Sequence, residues 1–201
     1  MIRVLLADDQ QLVRGALAAL LSLEPDLDVV AQVGRGDEVT AAAREHDVDV
    51  ALLDIEMPGL DGIAATAALV ADVPGCRVLV VTTFGRPGYL RRAMEAGASG
   101  FMVKDAPAAQ LADAIRRVHA GLRVVDPALA AESLAVGDDP LTDRERDVLV
   151  AAREGGTAAD IARALHLSEG TVRNYLSAAM AKTDARTRAE AVRVAEERGW
   201  L

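Results

Sequence analysis

Four separated points in this 201-residue chain carry side chains that could act on phosphorus or hold a hard cation: Asp8-Asp9, Asp54, Thr82-Thr83 and Lys104. Each follows directly on an apolar run. In "VLLADDQQ" the run ends in two adjacent carboxylates, and like charges placed together raise each other's proton affinity unless something offsets them. Three carboxylates gathered in one pocket call for a hard cation, and Mg²⁺ takes carboxylates together with water and phosphate oxygens. A carboxylate beside such a cation can attack phosphorus and form an acyl phosphate. The metal would bridge nucleophile and phosphoryl group and offset the developing charge. A lysine adds a positive point charge, and a threonine hydroxyl can donate to phosphoryl oxygens. Taken one at a time these residues are ordinary. An acidic pair can cap a helix, a lysine is usually a surface charge and a threonine suits a strand. The argument depends on whether the fold brings them together.

The elements between them say that it does. Strand-like apolar runs occur at Ile2–Ala7, Asp28–Val33, Val50–Leu53, Arg77–Val81 and Gly100–Val103, with helical patterns at about 11–23, 37–46, 62–72, 87–96 and 107–120. Such alternation predicts a parallel sheet with helices on both faces. "VALL" and "VLVV" are apolar throughout, as central strands covered on both sides must be. Five βα units in about 120 residues fit a flavodoxin-like doubly wound sheet of order 2-1-3-4-5, whose ligands bind at the carboxyl ends of the strands. In that order strands one, three, four and five are neighbours, so all four points share one edge.

After Gly121 the pattern breaks. Residues 122–140 show no clear strand, have a proline near each end and finish acidic, and we read them as a linker with a short helix near Pro127–Ser133. From Leu141 the pattern is helical. Thr142-x-x-Glu145 and Thr187-x-x-Glu190 are capping boxes, Thr157 and Ser168 are N-caps, and Gly155-Gly156 and Gly199 end helices. The expected organisation is therefore an α/β domain at 1–121, a linker at 122–140 and a four-helix all-α domain at 141–201.

Composition narrows the class. The net charge is −9, which argues against a uniformly basic coat, yet residues 141–201 carry ten acidic and ten basic residues and can still present a basic face. Aromatics are 2%, so the core must be aliphatic. Cys76 stands alone, which rules out a disulfide framework. No apolar run approaches membrane-spanning length and no signal sequence is evident, so we expect a cytoplasmic protein without membrane insertion. The "VGRGDEV" stretch has Gly-x-Gly but lacks the third glycine of a dinucleotide fingerprint, and Arg35-Gly36-Asp37 reads as a turn before a helix. His46, His119 and His166 lack metal-ligand spacing.

Residues 1–121 resemble the receiver domain of bacterial two-component response regulators. The resemblance is carried by Asp8-Asp9, by "LLDIEMPGLDG" around Asp54, by "VVTTFG" around Thr82 and by "GFMVKDAP" around Lys104. It implies that Asp54 is the phosphoacceptor and that Asp8, Asp9 and Asp54, with the backbone carbonyl of Glu56, hold Mg²⁺. It further implies that Thr82 is the switch hydroxyl, Lys104 the phosphate partner and Phe101 the aromatic switch residue, and that Pro107 lies in the family's cis-proline-type turn.

Residues 161–176 have the form of a helix-turn-helix, with His166 in the turn where glycine is usual; histidine tolerates the left-handed region. Val172, Leu176, Ala179 and Met180 form a buried stripe, and the opposite face carries Thr171, Arg173, Asn174, Ser177 and Ala181. "LTDRERDVL…ADIARALHLSEGTVRNYLSAAMAK" resembles the LuxR-type helix-turn-helix domain, so the whole chain resembles the NarL/FixJ response regulators. That resemblance implies a recognition helix at 168–182 with Arg173, Asn174 and Ser177 toward the major groove, and Thr171, Lys182, Arg186 and Arg188 toward phosphates. Ser177 and Ala181 stand where a basic residue is often found, which leaves fewer direct contacts. The expected partners are a sensor histidine kinase, double-stranded promoter DNA and a second copy of the chain on phosphorylation. Two other readings remain open from sequence: a phosphorylation-independent DNA-binding protein whose receiver is a dimerisation scaffold, and a phosphohydrolase with Asp54 as nucleophile, although no second acid–base group is evident beside it.

Overall fold

A computed structural model describes residues 1–83, 87–127, 129–131, 139–153 and 155–201. Phe84 and Gly85 of the "VVTTFG" motif, and residues 132–138 of the linker with the end of its expected short helix, lie outside the described residues. The chain divides into two compact units, an N-terminal one running to Ala131 and a C-terminal one that holds the helical bundle.

The N-terminal unit is a parallel sheet of β1 (Ile2–Ala7), β2 (Leu27–Val33), β3 (Val50–Leu53), β4 (Arg77–Thr82), β5 (Gly100–Val103) and β6 (Val124–Val125), in the order β2-β1-β3-β4-β5-β6. The helices are α1 (Gln11–Leu21), α2 (Val39–Glu45), α3 (Gly62–Asp72), α4 (Pro87–Glu95) and α5 (Ala108–His119), with a 3₁₀ turn at Gly36–Glu38. The first five strands follow the expected order. The sixth corrects the count of five: Val124 and Val125 pair with Gly100 and Phe101, inside the segment read as a linker. Two residues are too few to show a period of two, so the pattern could not reveal this strand.

Alternation along the strands divides the core into two clusters. Val4 and Leu6 enter the one that includes Ala18 and Leu21 of α1 and Leu111, Ile115 and Val118 of α5. Leu5 and Ala7 enter the other, with Val39 of α2, Leu69 of α3 and Leu90 of α4. Phe101 is completely buried there, the largest side chain in a core that is otherwise mainly aliphatic. Each fully buried leucine stabilises this packing by about 1.5–3 kcal/mol. All four residues of β3 are buried, so the strand that carries Asp54 has little freedom to shift.

The C-terminal unit consists of α6 (Asp143–Arg153), α7 (Ala158–Leu165), α8 (Glu169–Lys182) and α9 (Arg188–Glu197). Val148, Leu149, Ile161, Val172, Leu176, Ala179 and Trp200 lie in its core. The expected caps form. Glu145 Oε2 accepts from the Thr142 backbone at 2.7 Å, Thr157 and Asp160 cap reciprocally, and Ser168 accepts from the Thr171 backbone at 3.1 Å. The Thr187 hydroxyl accepts from the Glu190 backbone, but the Glu190 carboxylate reaches Arg186 instead of Thr187. His166 adopts φ 54° and ψ 43°, as expected of a turn without glycine. No described helix is long and apolar enough to cross a membrane.

Candidate functional site

Strand pairing sets the site. Ala7 lies opposite Leu53, so β1 and β3 end together and deliver Asp8 and Asp54 side by side. The Asp54 backbone donates to the Ala7 carbonyl at 2.8 Å, and the Lys104 backbone donates to the Thr82 carbonyl at 2.7 Å. The pattern places Asp8, Asp54, Thr82 and Lys104 at one sheet edge. Asp8, Asp54 and Thr82 are all at most 5% exposed, whereas Asp9 is exposed.

Lys104 Nζ bridges the two buried carboxylates, 2.7 Å from Asp8 Oδ2 and 3.0 Å from Asp54 Oδ2. Burial pushes the Asp54 carboxyl above the ordinary aspartate range, with Lys104 pulling against it. For Lys104, burial disfavours the charge, but hydrogen bonds to Asp8 and Asp54 outweigh it and raise its proton affinity. The remaining Asp54 oxygen, Oδ1, accepts from the Ile55 backbone at 2.9 Å. Asp8 Oδ1 accepts from the Gln10 backbone at 2.9 Å, and Arg14 donates to the Asp8 carbonyl. The acidic pair does not cap α1: the N-cap residue is Gln10, with no side-chain cap.

One carboxylate oxygen from each of Asp8, Asp9 and Asp54 lies within 4.8 Å of the others. The set is all oxygen, and Lys104 supplies one positive charge against three negative, which leaves a deficit of two. Such a set fits a hard divalent cation such as Mg²⁺ and suits no soft metal. Glu56, expected to offer its backbone carbonyl, is in the loop two residues past Asp54, with its side chain exposed.

Sequence reasoning missed Gly62, which fixes this loop. A Cβ there would lie 1.9 Å from the Asp54 carbonyl oxygen, and its backbone donates to Ile55 at 2.9 Å. The "LDG" stretch was the available signal, because glycine at a helix start allows close backbone approach. Phe101, the expected aromatic switch residue, is fully buried in the core. No cis peptide bond occurs among the described residues, so the turn at Pro107 is trans.

In the C-terminal unit Val172, Leu176 and Ala179 of α8 are buried, while Arg173, Asn174 and Ser177 are exposed on its other side. Arg173 pairs with Glu169 at 2.7 Å one turn back. The Thr171 hydroxyl is 2.8 Å from the Ser168 hydroxyl. Two of the expected phosphate contacts are engaged within the bundle. Lys182 Nζ is 2.7 Å from Oε2 of the buried Glu145, and Arg188 donates to the Gly156 carbonyl at 2.7 Å. Arg186 is exposed in the loop between α8 and α9. Small exposed polar groups and one arginine on a helix face suit base-edge and phosphate contact.

Comparison with known proteins gives the same two-part division. Residues 4–116 match the response regulator receiver domain, and residues 139–195 match the luxR family of bacterial regulatory proteins. The chain is 42% identical to the transcriptional regulatory protein DesR of Bacillus subtilis (strain 168), covering 100% of both. It is 37% identical to the DNA-binding transcriptional activator DevR/DosR of Mycobacterium tuberculosis, covering 98% of this chain and 95% of that one. Among solved structures it is similar to the response regulator ChrA of a heme-sensing two-component system, with TM-score 0.60, 32% identity and coverage of 100% and 98%. An RcsB–DNA complex shares the fold, with TM-score 0.69, 22% identity and 98% of each chain covered.

Proposed function

Because the chain belongs to the response regulators that join a receiver domain to a LuxR-type DNA-binding domain, we propose that Asp54 accepts a phosphoryl group from a sensor histidine kinase and that this controls dimerisation and promoter binding. The observation that carries this reading is the cluster of Asp8, Asp9 and Asp54 with Lys104 bridging two of them. In this reading the N-terminal unit, which runs to Ala131 and includes β6, receives the signal, and residues 141–201 bind DNA, in the cytoplasm.

Asp8, Asp9, Asp54 and the Glu56 carbonyl would hold Mg²⁺, which when bound supplies positive charge against the phosphoryl oxygens. A carboxylate oxygen of Asp54 attacks phosphorus. The P–O bond to Asp54 forms as the bond to the donor imidazole nitrogen breaks, and the electron pair stays on the imidazole. Lys104, already against the Asp54 carboxylate, pairs with the transferred group as a point charge.

The phosphoryl group adds a charge of about −1.5 to −2. Thr82, buried at the end of the neighbouring strand, and Lys104 turn toward it, while Phe101 stays buried. Packing around α4, β5 and α5 changes, a local charge event biasing a two-state element. On the α8 surface Arg173, Asn174 and Ser177 face base edges, and Thr171 and Arg186 face phosphates. Lys182 and Arg188 reach phosphates only on exchanging the partners they have here.

The test is phosphorylation with a small phosphodonor and Mg²⁺, followed by mapping of the acid-labile phosphate. Wild type should carry one such phosphate at Asp54, and Asp54→Asn none. Equal labelling of Asp54→Asn would contradict the assignment.

A further inference from the structure

The Arg35-Gly36-Asp37 segment, expected as a turn before a helix, lies against the loop that follows Asp54. The Gly36 backbone donates to the Pro58 carbonyl at 3.2 Å. Gly36 is buried, and a Cβ there would come within 1.9 Å of the Leu60 carbonyl oxygen and 2.8 Å of its carbon. The contact is reciprocal. Gly59 has φ +81°, and a Cβ on it would lie 2.3 Å from Asp37 Oδ1 and 2.7 Å from an Arg35 terminal nitrogen. Arg35 and Asp37 form a two-point pair, 2.9 and 3.0 Å, across that glycine. At Gly36 the two segments thus pass at a distance that only glycine permits, while the Arg35 and Asp37 side chains lie over Gly59.

The loop so gripped is short and fastened at its base. Gly62 and Met57 both donate to the Ile55 carbonyl, at 2.9 and 3.2 Å. Glu56 lies between Asp54 and the Gly36 contact at Pro58. The loop that carries Glu56 is therefore tied at its base by the Ile55 carbonyl and at Pro58 by the Gly36 backbone, with the Arg35–Asp37 pair lying over Gly59. We infer that the Arg35-Gly36-Asp37 turn is a positioning brace for the Mg²⁺ site, holding the loop that presents the Glu56 carbonyl. This rests on the reading of Asp8, Asp9 and Asp54 as that site. Neither Gly36 nor Asp37 touches the metal or the phosphoryl group. They act through the loop, as outer supports of a metal site commonly do.

The test uses the full chain and MgCl₂ titrated calorimetrically into wild type, Gly36→Ala, Asp37→Ala and Asp9→Asn, with hydrogen exchange of amides 55–62. Gly36→Ala should keep its circular dichroism and bind Mg²⁺ about ten- to a hundred-fold more weakly, the usual cost of a lost outer support. Asp37→Ala should show a smaller loss in the same direction, with faster exchange at Met57 and Gly62, whose amides hold the Ile55 carbonyl. A folded Gly36→Ala with wild-type Mg²⁺ affinity overturns the brace. If Gly36→Ala does not fold, Asp37→Ala decides: unchanged affinity with unchanged exchange overturns it. Wild type that binds no Mg²⁺, or Asp9→Asn that binds it undiminished, is a different failure, because it removes the metal site and the brace falls with it.

Discussion

At the scale of single residues, the site is a compromise between burial and pairing. Asp54 is buried, and burial raises its proton affinity even with Lys104 at 3.0 Å. The sign of the consequence follows. An acid whose folded-state affinity exceeds its unfolded-state affinity subtracts stability at neutral pH, and the subtraction disappears as pH falls below the ordinary aspartate range. Asp54→Asn should therefore melt above wild type at neutral pH in the presence of a chelator, and its advantage should shrink to nothing in acid. Thermal melts at several pH values check this; a mutant that melts lower at neutral pH would show that the Lys104 pairing outweighs burial. The same residues were the most legible in the sequence. Asp8, Asp54, Thr82 and Lys104 each follow an apolar run, and in a parallel sheet with known strand order the end of a run locates its next residue. The Lys104 bridge was less legible, because side-chain reach between strands leaves no mark on spacing.

At the scale of elements, helix caps and ties between helices hold the surface proposed to bind DNA. Glu145 serves both: it caps α6 through the Thr142 backbone and pairs with Lys182 at the end of α8. Burial raises its proton affinity, but Lys182 and Thr142 outweigh it and hold the carboxyl below the ordinary glutamate range. Its contribution is present at neutral pH and lost as pH falls below that range. Glu145→Gln should destabilise the C-terminal unit by about 1.5–3 kcal/mol at neutral pH, the scale of hydrogen bonds to charged groups. The deficit should close in acid, as denaturant titrations would report. The Thr142-x-x-Glu145 cap was legible because its partners are three residues apart. The Lys182 pairing spans 37 positions, and local pattern is blind to it. The same blindness hid the Gly36–Leu60 contact and the two-residue β6. On α8 the prediction concerns binding. Arg173→Ala should weaken specific DNA by about 1–3 kcal/mol and relax discrimination at one base pair; uniform weakening across all sequences would reassign it to a phosphate.

At the scale of the whole molecule, the chain has two units with separate cores, and the proposed function requires that a change in one alter the other. Moving such an equilibrium from about 1:99 to 99:1 takes about 5.5 kcal/mol of preference for the active state, which the phosphoryl group can share with a dimer contact. A dimer would meet two half-sites about 34–36 Å apart. The central claim is that phosphorylation at Asp54 controls DNA binding, and one measurement addresses it directly. Wild type and Asp54→Asn, each with Mg²⁺ and with or without phosphodonor, are used to select duplexes from a random pool, and affinity for the selected duplex is then titrated while sedimentation reports the oligomer. The account predicts that only phosphorylated wild type dimerises and binds a paired half-site tightly. Equal affinity and equal oligomeric state in all four samples would contradict it and leave the receiver as a scaffold for phosphorylation-independent binding.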